Sequence, residues 1–498
     1  MTDRVRTKKI LAGVVFLVLL GAFFYGIDRF VTPKYMYDQK EPQTETFRTF
    51  YGMEKDSVDI LILGTSHAAT GFNPQDFYDA ANLRVFNLAS SGQAVWASYY
   101  WLNEALNYQS PKVVIYDVNY LFSNKYNEAL NRKTLDNMRL GAVKLEAARA
   151  ASASDETGEE TVISYILPFF RYHARWSSLN EWDFTGADVE SPSALKGFWI
   201  YPNTARYEEM VPLDPADSDE TAEFDPDSFS WFVKIQELCE ENGIRLVLTK
   251  TPAHQFTLEQ HNAMQQYADE NGMAFYDFNT ASLYAETGFD YASDMNDAGE
   301  TNAHANPSGA RKMSAYLAEQ IVANGWAPAC EDAQWASTKQ LNDNLYRDFV
   351  LHNTDDLHVY LPLLKDARYT VFLSVKDEVS ACLDDEALAL LRDLGLAADL
   401  EGAFQYGYLA VIDQGRVTYE KKARKQIEYD GALRDGVVPF SMSSAGYKTG
   451  NISSISINNA EQSLNRRGLN IVVYSNERQC VIDRVSFDTH VPEMTCSR

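Results

Sequence analysis

Hydrophobic and polar positions fall into blocks along this chain. The first block, residues 10–27, is an unbroken run of apolar side chains and glycine, long enough to cross the hydrocarbon core of a membrane as a helix. Short apolar runs follow, and the first of them covers residues 58–63. Leucine and β-branched side chains in an unbroken run are typical of a strand that is buried on both faces, so the run predicts a buried strand.

Runs of strand length alternate with stretches of helical length through most of the first 323 residues. This alternation is typical of a parallel sheet covered by helices. The pattern predicts strands over 58–63, 85–89, 111–119, 244–252 and 273–278, and helices over 72–81, 96–106, 229–242, 258–271 and 313–323.

Residues 123–228 interrupt this pattern and predict an insertion. Two stretches in it, 147–161 and 212–227, are rich in acidic and small or proline residues, which indicates exposed loops. The segment 166–176 between them is aromatic and basic in an otherwise acidic chain. An insertion of this size predicts a lid or a wall of a substrate site.

A polar connector over 329–360 leads into a second domain over 361–498, predicted as a compact α+β module. Its pattern predicts a strand over 369–375, a helix over 384–394, a hairpin over 408–419 with a two-residue turn at Gly415, and a further strand pair over 469–474 and 480–487.

Charge narrows the possible partners and the location. The net charge of −26 excludes a nucleic-acid binder, because there is no basic excess to neutralise phosphates. Arg4, Arg6, Lys8 and Lys9 precede the apolar run, and positive charge stays on the cytoplasmic side of a membrane. We therefore expect a cytoplasmic tail over 1–9, a single-pass anchor over 10–27, a stalk over 28–55 and an extracytoplasmic remainder.

A cleaved signal peptide is the alternative to the anchor, but the run is longer than a usual signal core and no clear cleavage site follows it. The five cysteines are scattered without a CxxC pair, so neither a disulfide framework nor a metal site is predicted, and no cofactor is expected.

Ser66 is a candidate nucleophile, because Gly64 gives a tight turn directly after the first predicted strand. Active sites of α/β proteins lie at the carboxyl ends of the parallel strands. The alternative is that this turn only ends the strand and has no catalytic role. A serine nucleophile needs a base. Among the eight histidines, His304 has the best setting, in a loop after the last core strand and before a helix.

Further candidates surround these two residues. Lys250 and His254 follow a strand end, where they would line the cleft or serve only the loop. His173 and Arg175 belong to the aromatic and basic segment, where they would contact substrate or pack a lid.

The segments 64–67, 91–93, Asn119 and 304–312 resemble the blocks of the SGNH (GDSL-like) hydrolase superfamily, particularly its membrane-anchored branch that acylates glycans outside the cell. The resemblance covers most of 56–328 and implies a doubly wound, flavodoxin-like parallel sheet. It also implies a cell-surface glycan and a membrane-bound O-acyltransferase as partners.

The resemblance implies a role for each matching residue. Ser66 would attack an acyl carbonyl, with His304 as base and then acid, while Gly92 and Asn119 would help to hold the oxyanion. The family's aspartate falls three residues before the histidine, where this chain has Thr301. Asp297 is the first alternative and Asp294 the second. A Ser–His dyad and an inactive site also stay open.

The second domain resembles the interleukin-like EMT inducer (ILEI/PANDER) domain over 369–378, 407–413, 467–474 and 485–489. That resemblance implies a module for binding glycans or docking proteins, without catalysis. The sequence thus predicts an extracytoplasmic serine-dependent O-acyl transferase or esterase, with O-acetyl the expected group, acting on cell-surface polysaccharide. The alternative is a noncatalytic glycan-binding or assembly protein on an SGNH-like scaffold.

Overall fold

The computed structural model describes residues 2–33, 43–123, 127–155, 158, 160–179, 182–185, 193–204, 210–296, 303–434 and 436–498. The chain divides into two compact units, Met1–Asp343 and Asn344–Arg498. The division falls inside the predicted connector 329–360.

The first unit is built on a five-stranded sheet. Its strands are β1 (Ile60–Leu63), β2 (Val85–Asn87), β3 (Val113–Asp117), β4 (Arg245–Lys250) and β5 (Ala274–Asp277). They lie in the order β2-β1-β3-β4-β5 with every neighbouring pair parallel, which is the order of flavodoxin-like sheets. The predicted parallel sheet is therefore confirmed, while the specific SGNH fold stays a prediction.

Helices cover both faces of this sheet. Along β1, Leu61 and Leu63 enter one hydrophobic cluster, while Ile60 and Ile62 enter the other, as the two-residue period of a strand requires. The helices of the unit are α1 (Thr2–Val31), α2 (Gln43–Gly52), α3 (Ser66–Gly71), α4 (Pro74–Ala81), α5 (Val95–Ala105), α6 (Glu128–Leu135), α7 (Ala142–Ala153), α8 (Val162–Ile166), α9 (Phe169–Tyr172), α10 (Trp182–Thr185), α11 (Pro226–Glu241), α12 (Leu258–Glu270), α13 (Ala281–Thr287), α14 (Tyr291–Asp294), α15 (Pro307–Ala323) and α16 (Ala333–Ala336).

Two segments pack more tightly than their composition predicts. The predicted stalk 28–55 contains α2, whose Phe47 is buried and stacks on Trp101 with ring centroids 4.1 Å apart. In the described part of the insertion 123–228, Leu135 of α6 and Tyr165 of α8 join the hydrophobic cluster on one face of the sheet rather than a core of their own. Both segments are thus part of the α/β unit.

Helix α1 is long and apolar enough to span a membrane from Thr7 to Val31. The anchor prediction is confirmed to that extent, and its orientation stays a prediction.

Helix α17 (Lys339–His352) crosses the division, and the second unit adds α18 (Leu357–Leu363) and α19 (Asp385–Asp393). A ten-stranded sheet forms its centre, and the predicted hairpin and the predicted C-terminal strand pair are both present as antiparallel pairs. Its strands are β6 (Tyr369–Asp377), β7 (Gly407–Asp413), β8 (Arg416–Ala423), β9 (Ile427–Leu433), β10 (Val438–Gly446), β11 (Ile452–Ile457), β12 (Ala460–Glu461), β13 (Gly468–Ser475), β14 (Cys480–Asp488) and β15 (Thr495–Ser497).

Candidate active site

The turn after β1 delivers Ser66 to the edge of the sheet. Gly64 has φ +143°, and a Cβ at this position would lie 2.9 Å from the Cβ of Asp117, so the backbone conformation and the space both require glycine. Thr65 caps α3, because its hydroxyl accepts a hydrogen bond from the His67 N–H at 3.3 Å. Ser66 is therefore the first residue of α3, at the carboxyl end of β1.

His304 lies in the loop before α15, and its backbone is held on both sides. Its N–H donates to the side-chain oxygen of Asn296, and its carbonyl accepts from the Asn296 N–H, both at 2.8 Å. A β-bridge joins Met295 to Ala305 next to it, and Asn306 caps α15. The buried imidazole is thus placed by a hydrogen-bonded segment.

These two segments bring Ser66 and His304 together. The distance from Ser66 Oγ to His304 Nε2 is 2.8 Å, across 238 positions of sequence. With the ring proton on Nδ1, the serine hydroxyl donates to Nε2, which is the geometry of a nucleophile and its general base. The sequence prediction paired these two residues, and they lie within hydrogen-bond distance.

Two further aromatic rings hold the His304 imidazole. His67 stacks on it with ring centroids 4.4 Å apart and an interplanar angle of 21°, and Tyr201 meets it edge-on at 5.3 Å. Within the described part of the chain, His67 Nδ1 is buried without a hydrogen-bond partner. Burial, reinforced by His304 and Lys250, lowers the pKa of His67 well below its usual range. His67 is therefore a neutral ring at physiological pH.

A pocket of about 320 Å³ opens beside Ser66. Loops that follow β1, β3 and β4 form most of its wall, as expected for a site at the carboxyl ends of parallel strands. Aromatic rings and short polar groups are mixed in its lining, which consists of Thr65, Ser66, His67, Asn119, Tyr120, Phe122, Ser123, Ala253, His254, Gln255, Phe256, Gln260 and Ala303. The predicted residues Asn119 and His254 therefore share this pocket with Ser66.

Two buried ionisable groups lie close together below the pocket. The Asp117 carboxylate accepts hydrogen bonds from the N–H groups of Thr251 (3.0 Å) and Asn119 (3.3 Å), and so ties together the loops after β3 and β4. Lys250 is fully buried, and its Nζ donates to the Thr251 carbonyl at 2.9 Å. Burial raises the pKa of Asp117 and lowers that of Lys250, although the attraction between the two groups opposes both shifts.

This burial changes the expected role of Lys250. The sequence left open whether Lys250 lines the cleft or serves only the loop, and among the described residues it is not one that lines the pocket. It supports the loop after β4 from below.

The third member of a catalytic triad was predicted as Asp297 or Asp294. Asp297 and the neighbouring Thr301 lie outside the described residues. Asp294 is buried, and its Oδ2 accepts hydrogen bonds from Lys312 Nζ and the Asp290 N–H, each at 2.7 Å. Among the described contacts it makes none with the His304 ring, so Asp294 fastens the loop to α15 instead.

The other predicted residues lie elsewhere in the unit. Among the described residues that line the pocket, neither Gly92 nor His173 nor Arg175 is included. Gly92 has φ +54°, and a Cβ there would overlap the Leu130 side chain, so it serves the contact with α6. His173 Nδ1 lies 3.1 Å from the Phe170 carbonyl, and Arg175 donates to the Val31 carbonyl at 2.7 Å and pairs with Asp183.

Sequence reasoning missed His67 and Tyr201. His67 is adjacent to Ser66 in sequence, and the first turn of α3 brings its ring onto His304. Tyr201 lies in the insertion, where no local pattern marks it.

Within the described ranges, no group of three or more His, Cys, Asp or Glu side chains is arranged to hold a metal ion. No family model and no curated protein matches the chain. The family resemblances therefore stay predictions, and the geometry of the pocket is the basis for a proposal of function.

Proposed function

We propose that this protein is a serine-dependent O-acyl transferase or esterase that acts on a glycan outside the cell. One observation carries the proposal, the 2.8 Å distance between His304 Nε2 and the Oγ of Ser66, a residue that lines a pocket. A serine next to a buried histidine, at the carboxyl edge of a parallel sheet, is equipped for nucleophilic attack on an acyl carbonyl.

The proposed reaction has two halves. In the first, Ser66 Oγ bonds to the acyl carbon while His304 Nε2 takes the hydroxyl proton, and collapse of the tetrahedral intermediate passes that proton to the departing alkoxide. In the second half, an incoming hydroxyl gives its proton to His304 and attacks the acyl carbon, and collapse of the intermediate breaks the bond to Ser66 Oγ, which takes the proton back from His304. If the incoming hydroxyl belongs to a sugar, the result is transfer, and if it belongs to water, the result is hydrolysis.

The developing oxyanion needs hydrogen-bond donors. The Ser66 N–H at the first turn of α3 and the Asn119 amide on the pocket wall are the proposed donors. The backbone of Asn119 donates to the buried Asp117, which fixes the loop that carries the amide. Asn119 is therefore held in place before substrate binds, as electrostatic stabilisation requires.

The character of the pocket and the N-terminal helix support the substrate class. Tyr120, Phe122 and Phe256 offer apolar faces to a sugar ring, and Gln255 and Gln260 offer hydrogen bonds to its hydroxyl groups. Helix α1 is suited to hold the site at a membrane, where an acyl donor and a nascent glycan would both be available.

The proposal is tested with p-nitrophenyl acetate on the full-length chain in detergent, comparing the native protein with Ser66→Ala. Ser123→Ala is the matched control, because Ser123 lines the same pocket. We expect Ser66→Ala to abolish the release of p-nitrophenol and the acetyl adduct on the Ser66 peptide in mass spectrometry, and Ser123→Ala to keep both.

Addition of an oligosaccharide acceptor distinguishes transfer from hydrolysis. Acetylated sugar formed without faster release of free acetate indicates transfer, while acetate alone indicates hydrolysis. If Ser66→Ala keeps full activity towards the ester and full acylation of the cell surface, the pocket is not catalytic and a noncatalytic glycan-binding protein becomes the better interpretation.

A further inference from the structure

The insertion carries a concentration of exposed apolar side chains that the proposed chemistry does not use. Five large hydrophobic residues between positions 163 and 184 are exposed to solvent, whereas the described exposed hydrophobic residues elsewhere on the unit, outside α1, are few and scattered. They are Trp176 (72% exposed), Phe184 (65%), Ile163 (60%), Phe170 (56%) and Leu167 (43%), and we refer to them as the collar. A monomeric soluble surface rarely leaves such a group uncovered.

The segment that carries the collar packs against the C-terminal end of α1. The ring of Phe169, next to Phe170, meets Phe24 edge-on with centroids 6.1 Å apart, and Phe184 itself meets Phe30 at 5.5 Å. The Phe169 N–H also donates to the Asp28 carboxylate at 2.5 Å. The collar is therefore continuous with the exposed apolar surface of α1.

The length of α1 gives the depth of this contact in a membrane. At 1.5 Å per residue, the helix between Lys9 and Asp28 is roughly 30 Å long, which matches the thickness of a hydrocarbon core. Phe24 to Val31 then lie at the boundary between hydrocarbon and headgroups. The residues that contact this stretch must lie at the same level.

The polar partners at this level fit an interface. Arg175 donates to the Val31 carbonyl, the last residue of α1, and forms an ion pair with Asp183 at 2.8 Å. The carbonyl of Val31 has no N–H partner in a following turn of the helix, and the Arg175 guanidinium supplies its hydrogen bond. Trp is enriched at the level of the lipid headgroups, and segments that lie in this layer combine Trp, Phe and Leu with nearby Lys or Arg.

We propose that the collar lies in the outer interface of the lipid bilayer, so that the insertion and α1 together form a two-part attachment to the membrane. The inference rests on α1 spanning the bilayer and does not depend on the proposed acyl chemistry. It gives His173 and Arg175 a structural place at the membrane rather than at the substrate. A helix alone leaves a protein free to tilt and rotate about its anchor, whereas a second contact restricts the unit to one orientation.

Fluorescence quenching tests this directly in full-length protein reconstituted into phosphatidylcholine vesicles. In a background with serine at positions 330, 382, 480 and 496, where only the buried Cys239 is kept, the cysteines introduced by Phe170→Cys and Trp176→Cys receive an environment-sensitive dye. The matched control is Val322→Cys on α15, which is also exposed (42%) but belongs to the helices on the opposite face of the sheet. Thermal unfolding in detergent verifies that each labelled variant is folded.

We expect nitroxide-labelled lipids to quench dyes at 170 and 176 at least about threefold more strongly than at 322, and aqueous iodide to give the reverse order. Equal quenching by iodide at all three positions would show that the collar faces water and would overturn the proposal. Protection of positions 170 and 176 from both quenchers would also overturn it, in favour of a protein partner or a second copy of the chain. None of these readouts involves Ser66, so the proposal succeeds or fails separately from the esterase activity.

Discussion

Two clusters of polar side chains that each include a histidine, one in each unit, differ in how their hydrogen-bonding groups are used. In the first unit, His304 bonds to a serine that faces a pocket, and the neighbouring His67 keeps a ring nitrogen without a partner among the described residues. In the second unit, Asp483 accepts hydrogen bonds from Tyr360 at 2.7 Å and from His352 at 3.2 Å, and it also pairs with Arg498. Both clusters contain the residue types of a catalytic site.

The two clusters differ in the group that receives their hydrogen bonds. In the second unit, three donors converge on one carboxylate, and the pKa of Asp483 is lowered despite its burial because those donors stabilise the charged form. Arg498 also donates to the carbonyls of Leu351 and Thr354, so the cluster fixes the end of the chain. Buried polar groups whose hydrogen bonds are all made within the protein stabilise a fold. A serine paired with a histidine beside a pocket, next to a ring nitrogen without a partner, is instead typical of a catalytic site.

Replacing one histidine in each cluster is the strongest test of this contrast. We expect His304→Gln to lower kcat for p-nitrophenyl acetate by about 10³-fold or more, because Ser66 loses its base. His352→Gln should leave kcat unchanged. Steady-state kinetics of both variants provide the measurement, and equal activity of the two proteins would contradict the assignment of His304.

Removing the carboxylate of the saturated cluster should act on stability instead. Asp483→Asn leaves the half-buried Arg498 without its nearest charge and should lower the free energy of unfolding of the second unit by about 3–4 kcal/mol. Asp399→Asn is the control, since its ion pair with Lys422 is exposed and such pairs contribute less than about 1 kcal/mol. Urea unfolding followed by limited proteolysis measures both, and ester cleavage should persist in each variant under native conditions.

Replacing a glycine with positive φ in each unit should give a smaller loss of stability. Gly64→Ala should lower the stability of the first unit by about 2–3 kcal/mol, because the new methyl group would clash with Asp117 in a conformation that alanine avoids. Gly415→Ala, in an open hairpin turn with φ +75° and nothing within 4 Å, should lower stability by only about 1 kcal/mol. Thermal unfolding compares the pair, and only Gly64→Ala should also reduce ester cleavage.

The smallest expected effect concerns His67 and pH. The pKa of His67 is lowered in the folded protein, while the unfolded chain takes up a proton near pH 6.5. Stability therefore falls as pH drops below about 6.5, and this group accounts for a loss of about 1 kcal/mol by pH 5.5. In His67→Gln this part of the pH dependence should disappear. Thermal midpoints at pH 7.5 and 5.5 give the comparison, and parallel losses in both proteins would refute it.

Local patterns were sufficient to predict the strands of the parallel sheet and the helices between them. Buried strands such as β1 and β3 are continuous apolar runs, and their order follows from the short crossovers of a doubly wound sheet. By contrast, β11 has the sequence Ile-Ser-Ser-Ile-Ser-Ile, whose small polar residues suggest a loop, and it was missed together with β9 and β10. Pairing between strands, rather than local composition, makes these residues strands.

The candidate site was predictable in its pair of main residues but not in its surroundings. Ser66 and His304 each carry a local signature at a strand end or a helix start. The burial of Lys250, the ion pair of Asp294 with Lys312, and the stacking of His67 on His304 depend on residues distant in sequence. The contact of Arg175 with α1 is similarly nonlocal, because 144 positions separate it from Val31.

The packing of α15 against α3 and α4 has a consequence for the protein while it is being synthesised. The Ser314 hydroxyl accepts the Asn73 N–H at 2.9 Å, and Met313 is buried within the same face of the unit. In the proposed mechanism, Ser66 on α3 has no base until His304, 238 positions later in the chain, has been synthesised. If the proposed mechanism holds, a chain that terminates before His304 has the serine without its base and should be inactive towards an ester.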